Sequence, residues 1–180
     1  MAGIPLHHVW QYTDVDRAFW HEHLEGWVPE RIIDAHTHVA DPALRVEPVT
    51  DEMRRQYWVS EVNEPMCAED AARCTGIVFP GRQVTQVAVG SPSLAFDIER
   101  ANEALRRECL ARGWHALTVC PPQWTAERVA EELKKPGVLG LKPYYTLIAR
   151  DPTTRDAHLE ASIFDFLPRH VLEAAEEAGA

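Results

Sequence analysis

Residues 84–120 read VTQVAVGSPSLAFDIERANEALRRECLARGWHALTVC, and this stretch decides the fold. The apolar runs at 84–90 and 116–120 each predict a strand. Between them we expect a helix with Ser93 as its N-cap and Gly113 as its stop. Apolar residues spaced three and four apart form the inward face of this helix: Leu94, Ile98, Ala101, Leu105 and Cys109. A strand, a helix and a second strand in this order predict a βαβ unit and therefore a parallel sheet.

The same alternation continues on both sides of this stretch. Strands are predicted at 31–39 and 138–144, and Thr125 is predicted to cap the helix that precedes the second of them. A last helix is predicted at 166–178, with its inward face formed by Leu167, Val171, Leu172 and Ala175. The sequence therefore contains four βα units. A closed (β/α)8 barrel, or TIM barrel, needs eight units and about 250 residues, so we expect an α/β chain that is truncated to half of such a barrel.

Three further segments complete the predicted organisation. Residues 1–30 are expected to form an N-terminal helical arm, with an amphipathic helix at 14–28 that packs through Phe19, Trp20 and Trp27. Residues 31–180 are expected to form the first half of the barrel. Its long first connection is predicted to hold helical stretches near 51–62 and 68–76, and residues 150–160 are predicted to be a polar loop.

The composition indicates an ordinary globular protein and excludes several classes of function. The 180 residues are 46% hydrophobic and 26% charged, with a net charge of -10. So acidic a chain lacks the clusters of Lys and Arg that neutralise phosphates, and we expect no nucleic-acid partner. The four cysteines show no C-x-x-C spacing, and no apolar run is long enough to span a bilayer. We therefore expect a cytoplasmic protein with reduced thiols and no membrane partner.

Two histidines at the end of the first predicted strand carry the chemistry. His36 and His38 are two residues apart, so on a regular strand both rings point to one face, about 6.6 Å apart along the chain. This spacing allows both imidazoles to bind one ion. Asp34 is expected on the same face, where it would orient a ligand rather than bind the ion. We predict a divalent metal site and favour zinc, with manganese, iron or cobalt as alternatives.

A second pair with the same spacing is not predicted to bind metal. His21 and His23 lie in the helix-like segment near the N-terminus, where residues two apart point in nearly opposite directions. The spacing alone is weak evidence, since nine histidines in 180 residues produce it often by chance. The position of His36 and His38 at a strand end distinguishes them.

The segment Ile32-Ile33-Asp34-Ala35-His36-Thr37-His38-Val39 resembles the first-strand signature of the amidohydrolase superfamily, apolar-apolar-Asp-x-His-x-His. It is most similar to the amidohydrolase-related branch, which includes the aminocarboxymuconate-semialdehyde decarboxylase-like enzymes. The sequences GLKP at 140–143 and FLP at 166–168 extend the similarity. The resemblance implies a (β/α)8 barrel with further histidines after strands five and six and an aspartate after strand eight. Those positions are absent from this sequence, so we expect the 180-residue chain alone to be inactive.

Lys142 is the second candidate residue for the site. Strand alternation that turns Leu139 and Leu141 outward to the helices turns Lys142 and its neighbours Gly140 and Tyr144 inward. The resemblance implies one role, since a lysine of the fourth strand is carboxylated and bridges two metals in some branches of the superfamily. The alternatives are contact with a substrate carboxylate and a side chain that only extends to solvent at the strand end.

These features lead to three functional hypotheses. The first is a metal-dependent hydrolase of the amidohydrolase type, in which metal-activated water attacks a C–N or C–O bond of a small-molecule substrate. The second keeps the barrel and the metal but makes the enzyme a lyase, a non-oxidative decarboxylase of a small unsaturated or aromatic acid. The third is an inactive half-barrel or binding module that pairs through its open sheet edges, and a homodimer is compatible with all three.

Overall fold

A computed structural model describes residues 9–51, 55, 65–148 and 161–180. Within these ranges four strands form one sheet in the order β1-β2-β3-β4. The strands are β1 (Arg31–His38), β2 (Gln83–Val89), β3 (His115–Val119) and β4 (Val138–Lys142). Each neighbouring pair is parallel, which confirms the predicted α/β class with a parallel sheet.

Helices lie between the strands and at both ends of the described chain. They are α1 (Asp14–Phe19), α2 (Ala68–Val78), α3 (Ile98–Arg112), α4 (Ala126–Leu133), α5 (Ile163–Phe166) and α6 (Arg169–Ala178). Helix α2 confirms the helical stretch predicted near 68–76. The stretch predicted near 51–62 and the loop predicted at 150–160 fall almost entirely outside the described residues.

The start of α3 differs from the sequence prediction. Asp97, not Ser93, is the N-cap, and its side chain accepts a hydrogen bond from the backbone N–H of Arg100 at 3.2 Å. Residues 93–96 instead form a turn that is held by a distant segment, since Phe96 makes an antiparallel bridge with Arg45. The prediction that Ser93 is the N-cap was wrong, because this tertiary contact keeps residues 93–96 out of the helix. The predicted end is confirmed, since Gly113 closes α3 with a φ of 66°.

The last predicted helix is divided into two. Leu167 has non-helical backbone angles, with φ -132° and ψ 74°, and Pro168 serves as the N-cap of α6. The steric demand of a proline on the residue before it explains the break. On α6 the buried residues are Val171 and Ala174, whereas Leu172 is 42% exposed, so its predicted inward position was wrong.

The described part of the N-terminal arm, residues 9–30, contains the start of the predicted helix, and Trp20 is its buried aromatic residue. Helix α1 continues into a π-helical turn, Trp20–Leu24. Trp20 is buried, and the guanidinium of Arg82 lies 5.1 Å from the centre of its ring. Phe19 and Trp27 are 55% and 79% exposed, so the prediction that they pack on the following structure was wrong.

The two faces of the sheet pack against different partners. One, here called the helix face, carries Ala88 and Ala116, which pack with Leu105 and Cys109 of α3. Side chains alternate along a strand, so Val89 and Val119 lie on the opposite side, here called the inner face. There they pack against Leu147, which is fully buried and belongs to a short 3-10 helix after β4, Tyr145–Leu147.

Candidate metal centre

The predicted site residues meet where the parallel strands have their carboxyl ends, here called the carboxyl edge of the sheet. His36 and His38 lie at the carboxyl end of β1, and Lys142 is the last residue of β4. Because all strands are parallel, their carboxyl ends share an edge, which is where α/β proteins hold ligands. The structure thus brings together residues that are 106 positions apart in the chain.

The two histidine rings point their outer nitrogens at one place. The Nε2 atoms of His36 and His38 are 3.1 Å apart, and the ring centres are 4.9 Å apart. Two nitrogens that each lie about 2.0–2.1 Å from one zinc ion are roughly 3.3 Å apart in a tetrahedral site and about 2.9 Å apart at a right angle. The observed separation falls between these values and is therefore compatible with two ligands of one ion, and it is also the distance of a hydrogen bond in which one ring N–H donates to the other ring nitrogen.

A β-bulge sets the direction of these rings. Asp34 pairs with Gln86 and Thr37 pairs with Ala88, so three steps along β1 match two steps along β2. The extra residue lies at 35–36, so His36 is part of the bulge and His38 follows it, and bulges of this kind often aim side chains at functional sites. Regular strand alternation alone does not describe this part of the strand.

The bulge changes the position predicted for Asp34. Gln86, its partner in register, lies on the helix face and donates a hydrogen bond from Nε2 to the Thr75 hydroxyl of α2 at 2.6 Å. Asp34 shares that side of the sheet by register, so it does not share the face of His36 and His38 as predicted. Its carboxylate accepts a hydrogen bond from the backbone N–H of His36 at 3.1 Å. Asp34 therefore contacts the bulge and not an imidazole ring.

Electrostatics favour the neutral form of one histidine. Partial burial, followed by the neighbouring His36 and Lys142, holds the pKa of His38 below its usual range. A neutral imidazole is the form that binds metals. The ring of His38 is therefore uncharged at neutral pH, which is the charge state that metal binding requires.

Lys142 lies beside the histidine pair. Its Nζ is 3.4 Å from Nε2 of His36 and 5.9 Å from the ring centre of Tyr144. Lys142 is in register with Val119 of the inner face, in keeping with its predicted inward direction, and Leu141 packs on the helix side against Val129 and Val171.

The donor set within the described residues is incomplete for a metal. No group of three or more His, Cys, Asp or Glu side chains converges in the part of the chain that the structure describes. Structural and catalytic zinc sites use three or four protein ligands. The two rings supply fewer ligands than these sites use.

Cys120 is not part of this site, although it follows β3 at the same edge. Its side chain packs on the helix side with Val129, Val171 and Ala174. Burial raises the pKa of the Cys120 thiol to about 12. A buried thiol of this kind serves as a small apolar side chain.

Cys67 is expected to be the one cysteine that reacts rapidly with Ellman's reagent at pH 8 in the folded chain. Cys67 is partly exposed, whereas Cys74, Cys109 and Cys120 are buried. Burial raises the pKa of Cys109 to about 11 and also raises that of Cys74, so little reactive thiolate is present in either. All four thiols should react in guanidinium chloride. Rapid reaction of Cys109 in the native state would contradict the packing of α3 on the sheet.

The chain is an α/β protein with a parallel sheet and a two-histidine cluster at the carboxyl edge. No protein-family model matches it, and neither does a curated protein or a solved structure. No helix among the described residues has the length and apolar character needed to cross a membrane.

Proposed function

We propose that this chain is the first half of a (β/α)8 barrel enzyme of the amidohydrolase type, a metal-dependent hydrolase in which His36 and His38 are the first two metal ligands. The observation that carries the proposal is the 3.1 Å approach of the two Nε2 atoms at the carboxyl end of β1. The first-strand sequence that resembles the amidohydrolase signature lies at this same place.

The order of the strands supports a barrel over an open doubly wound sheet. The four strands follow one another in space as they do in sequence, whereas a doubly wound sheet reverses direction at its switch point. Helices α2 and α3 contribute to the helix face, as the outer helices of a barrel do. The inner face of β1 is accessible to solvent at Ile33, which is 73% exposed. An open apolar position there is expected if further strands cover it.

The chemistry proposed for the site needs only a few groups from this chain. A bound divalent ion, with zinc favoured and manganese, iron or cobalt as alternatives, would activate water and polarise a C–N or C–O bond. His36 and His38 would hold the ion, and Asp34 would fix the backbone that carries His36. The other ligands and the general base would come from the remaining βα units.

A decarboxylase on the same barrel is the second candidate. The observation that favours it is the ammonium group of Lys142, 3.4 Å from a proposed metal ligand, where it can contact the carboxylate of a small acid. The two candidates differ in the bond that is broken. Assays of the complete reading frame with an amide or ester, and with an aromatic acid, would separate them.

Zinc titration of the 180-residue chain tests the metal site directly. We expect the chain to bind one zinc ion weakly, because two imidazoles are fewer than the three or four protein ligands of known zinc sites, and isothermal titration calorimetry measures the affinity. Alanine at His36 or His38 should weaken binding at least about tenfold, because even the hydrogen-bond partners of metal ligands contribute 10–100-fold. His21→Ala and His23→Ala are matched controls with the same spacing, since Nδ1 of His21 faces Glu25 and Nε2 of His23 faces Glu22.

Two outcomes would contradict the proposal. Equal loss of zinc affinity in the control and test variants would mean that no specific site exists at β1. A stable oligomer that binds no zinc would instead favour a non-catalytic binding module. The coding sequence beyond codon 180 gives an independent test, since a barrel requires a further strand-like run and the resemblance to the amidohydrolase superfamily implies a His at its end.

A further inference from the structure

We propose that the groove between the N-terminal arm and α2 binds a small organic ammonium ion with an aromatic body. This groove, here called the arm groove, is formed by residues 10–24 together with Ile77 and Val78 at the end of α2. It lies toward the amino ends of the strands, since Arg82, the residue before β2, donates hydrogen bonds to the carbonyls of Glu25 and Val28 of the arm. The inference is therefore independent of the metal centre at the carboxyl edge.

Aromatic side chains from two parts of the arm line the arm groove. They are Trp10, Tyr12, Phe19 and Trp20. Residues four apart share a face of a helix, which places Trp20 beside Asp16 on the side of the arm that faces the groove. Trp20 is 4% exposed, whereas Trp10 and Phe19 are 48% and 55% exposed. The groove thus has a buried ring at its base and accessible rings at its rim.

The charge of the arm groove favours a cation. Among the described residues that line it, Asp16 is the one charged side chain. Its carboxylate accepts hydrogen bonds from the hydroxyl of Thr13 at 2.6 Å and from the backbone N–H of Thr13 at 2.8 Å, which hold the pKa of Asp16 below its usual range. Residues 9–30 contain five acidic residues and one arginine, Arg17, which pairs with Asp14 at 3.3 Å. This part of the surface therefore attracts positive charge and repels anions.

Two guanidinium groups lie beside the arm groove, and each is held by groups of this chain. Arg73 pairs with Asp70 at 3.6 Å and donates to the carbonyl of Trp10 at 3.5 Å. Arg82 lies with its guanidinium carbon 5.1 Å from the ring centre of Trp20, which is the distance of a cation–π contact. In the part of the chain that the structure describes, no Lys or Arg lies over the ring of Trp10 or Phe19. Those two rings can contact an external cation.

The size of the arm groove favours a small molecule over a protein partner. Its volume is about 510 Å³, within the range of about 300–1,000 Å³ that is usual for small-molecule sites. Aromatic rings bind ammonium ions through the negative charge of their faces, and quaternary ammonium ions are bound in this way. An aromatic body on the same ion can pack against a second ring. The predicted ligand class therefore combines a positive charge with a ring.

Benzyltrimethylammonium is the probe that tests this site. Benzyl alcohol is its uncharged counterpart, benzenesulfonate is an anion with the same ring, and tetramethylammonium is the cation without a ring. Isothermal titration calorimetry of the full chain measures the affinities, and the indole N–H signals of Trp10 and Trp20 in NMR spectra report where the probe binds. We expect benzyltrimethylammonium to bind more tightly than the other three compounds and to shift both indole signals.

Substitutions at the rim test the part played by the rings. Trp10→Leu and Phe19→Leu should each weaken binding of benzyltrimethylammonium by about two- to fivefold, as expected for the loss of one cation–π contact at a partly exposed site. Trp27→Leu is the matched control, because Trp27 is 79% exposed on the same arm and does not line the arm groove. It should bind the probe as wild type does.

A second substitution tests the charge. Asp16→Asn keeps an oxygen that can accept the hydrogen bonds of Thr13 but removes the negative charge. It should weaken binding of benzyltrimethylammonium, and 0.5 M NaCl should weaken binding to wild type more than to this variant, because salt screens an exposed charge. Glu22→Gln is the control, since Glu22 is an exposed acid of the arm outside the lining of the groove.

Four results would overturn the inference. They are equal affinity for benzyltrimethylammonium and benzyl alcohol, equal affinity for benzenesulfonate, a loss in Trp27→Leu as large as that in Phe19→Leu, and indole signals of Trp10 and Trp20 that do not respond to the probe. Self-association of the chain that Phe19→Leu abolishes would assign the arm groove to a second copy and would also overturn it. Zinc binding through His36 and His38 is measured separately, so failure of either proposal leaves the other standing.

Discussion

Replacing Asn102 by alanine is expected to lower the free energy of unfolding by about 2–4 kcal/mol, since it leaves two buried backbone groups without partners. Asn102 is buried on α3, where its Nδ2 donates to the carbonyl of Val119 at 2.9 Å and its Oδ1 accepts from the N–H of Val119 at 3.0 Å. The ladder between β2 and β3 ends at Val89 and Leu117, so β2 does not pair with Val119, although β4 continues on the other side of β3. The side-chain amide of Asn102 takes the place of β2 at Val119.

Urea denaturation followed by circular dichroism measures this effect. Arg107→Ala is the matched control, because Arg107 lies on the exposed side of the same helix and its loss should change stability by less than about 0.5 kcal/mol. Asn102→Asp should be intermediate or worse, since a carboxylate accepts from the Val119 N–H but cannot donate to its carbonyl. A stability loss for Asn102→Ala no greater than that of the control would show that water replaces the amide.

Leu147→Ala is expected to cost about 2–5 kcal/mol of unfolding free energy, the range for a large apolar side chain removed from a packed core. Leu147 is completely buried against Val89 and Val119 on the inner face of the sheet. Nearby, the hydroxyl of Thr146 donates to the carbonyl of Pro92, which ties the segment to the loop after β2. The truncated side chain would leave a cavity between this segment and two strands.

The same denaturation measurement tests this variant, with Leu172→Ala as its control. Leu172 is 42% exposed on α6, so its truncation should cost well under half as much, because little of its surface is withdrawn from water. Equal losses in the two variants would mean that Leu147 is not packed on the sheet. A loss in Leu147→Ala alone would show that the segment after β4 is part of the core that supports the carboxyl edge.

The candidate site shows which of its features the sequence of one strand can predict and which it cannot. The sequence predicted that His36 and His38 lie together at a strand end, and their rings do converge. The assumed reason, regular alternation, was incomplete, because a bulge separates Asp34 from the two rings. A bulge depends on how two strands align across the sheet, and a single strand's sequence does not encode that alignment.

For a buried polar residue, too, the sequence does not identify the partner across the fold. Asn102 occupies a position next to the apolar stripe of α3, and an amide there is a signal that sequence reasoning passed over. Its partner, the backbone of Val119, is 17 residues away and has no side-chain feature that marks it. The need for a partner is predictable from the cost of burying an amide, whereas the identity of the partner is not.

The sequence alone was sufficient for the alternation of strands and helices, the parallel sheet, the helix stop at Gly113 and the cap at Thr125, because apolar spacing and backbone preferences act over a few residues. Long-range packing decided that the N-cap of α3 is Asp97 and that Phe19 and Trp27 are exposed. It also placed Asp34 on the opposite face from the histidine rings and Lys142 beside His36. These outcomes depend on strand register and on contacts between segments far apart in the chain, and their energies are set only when the whole sheet has assembled.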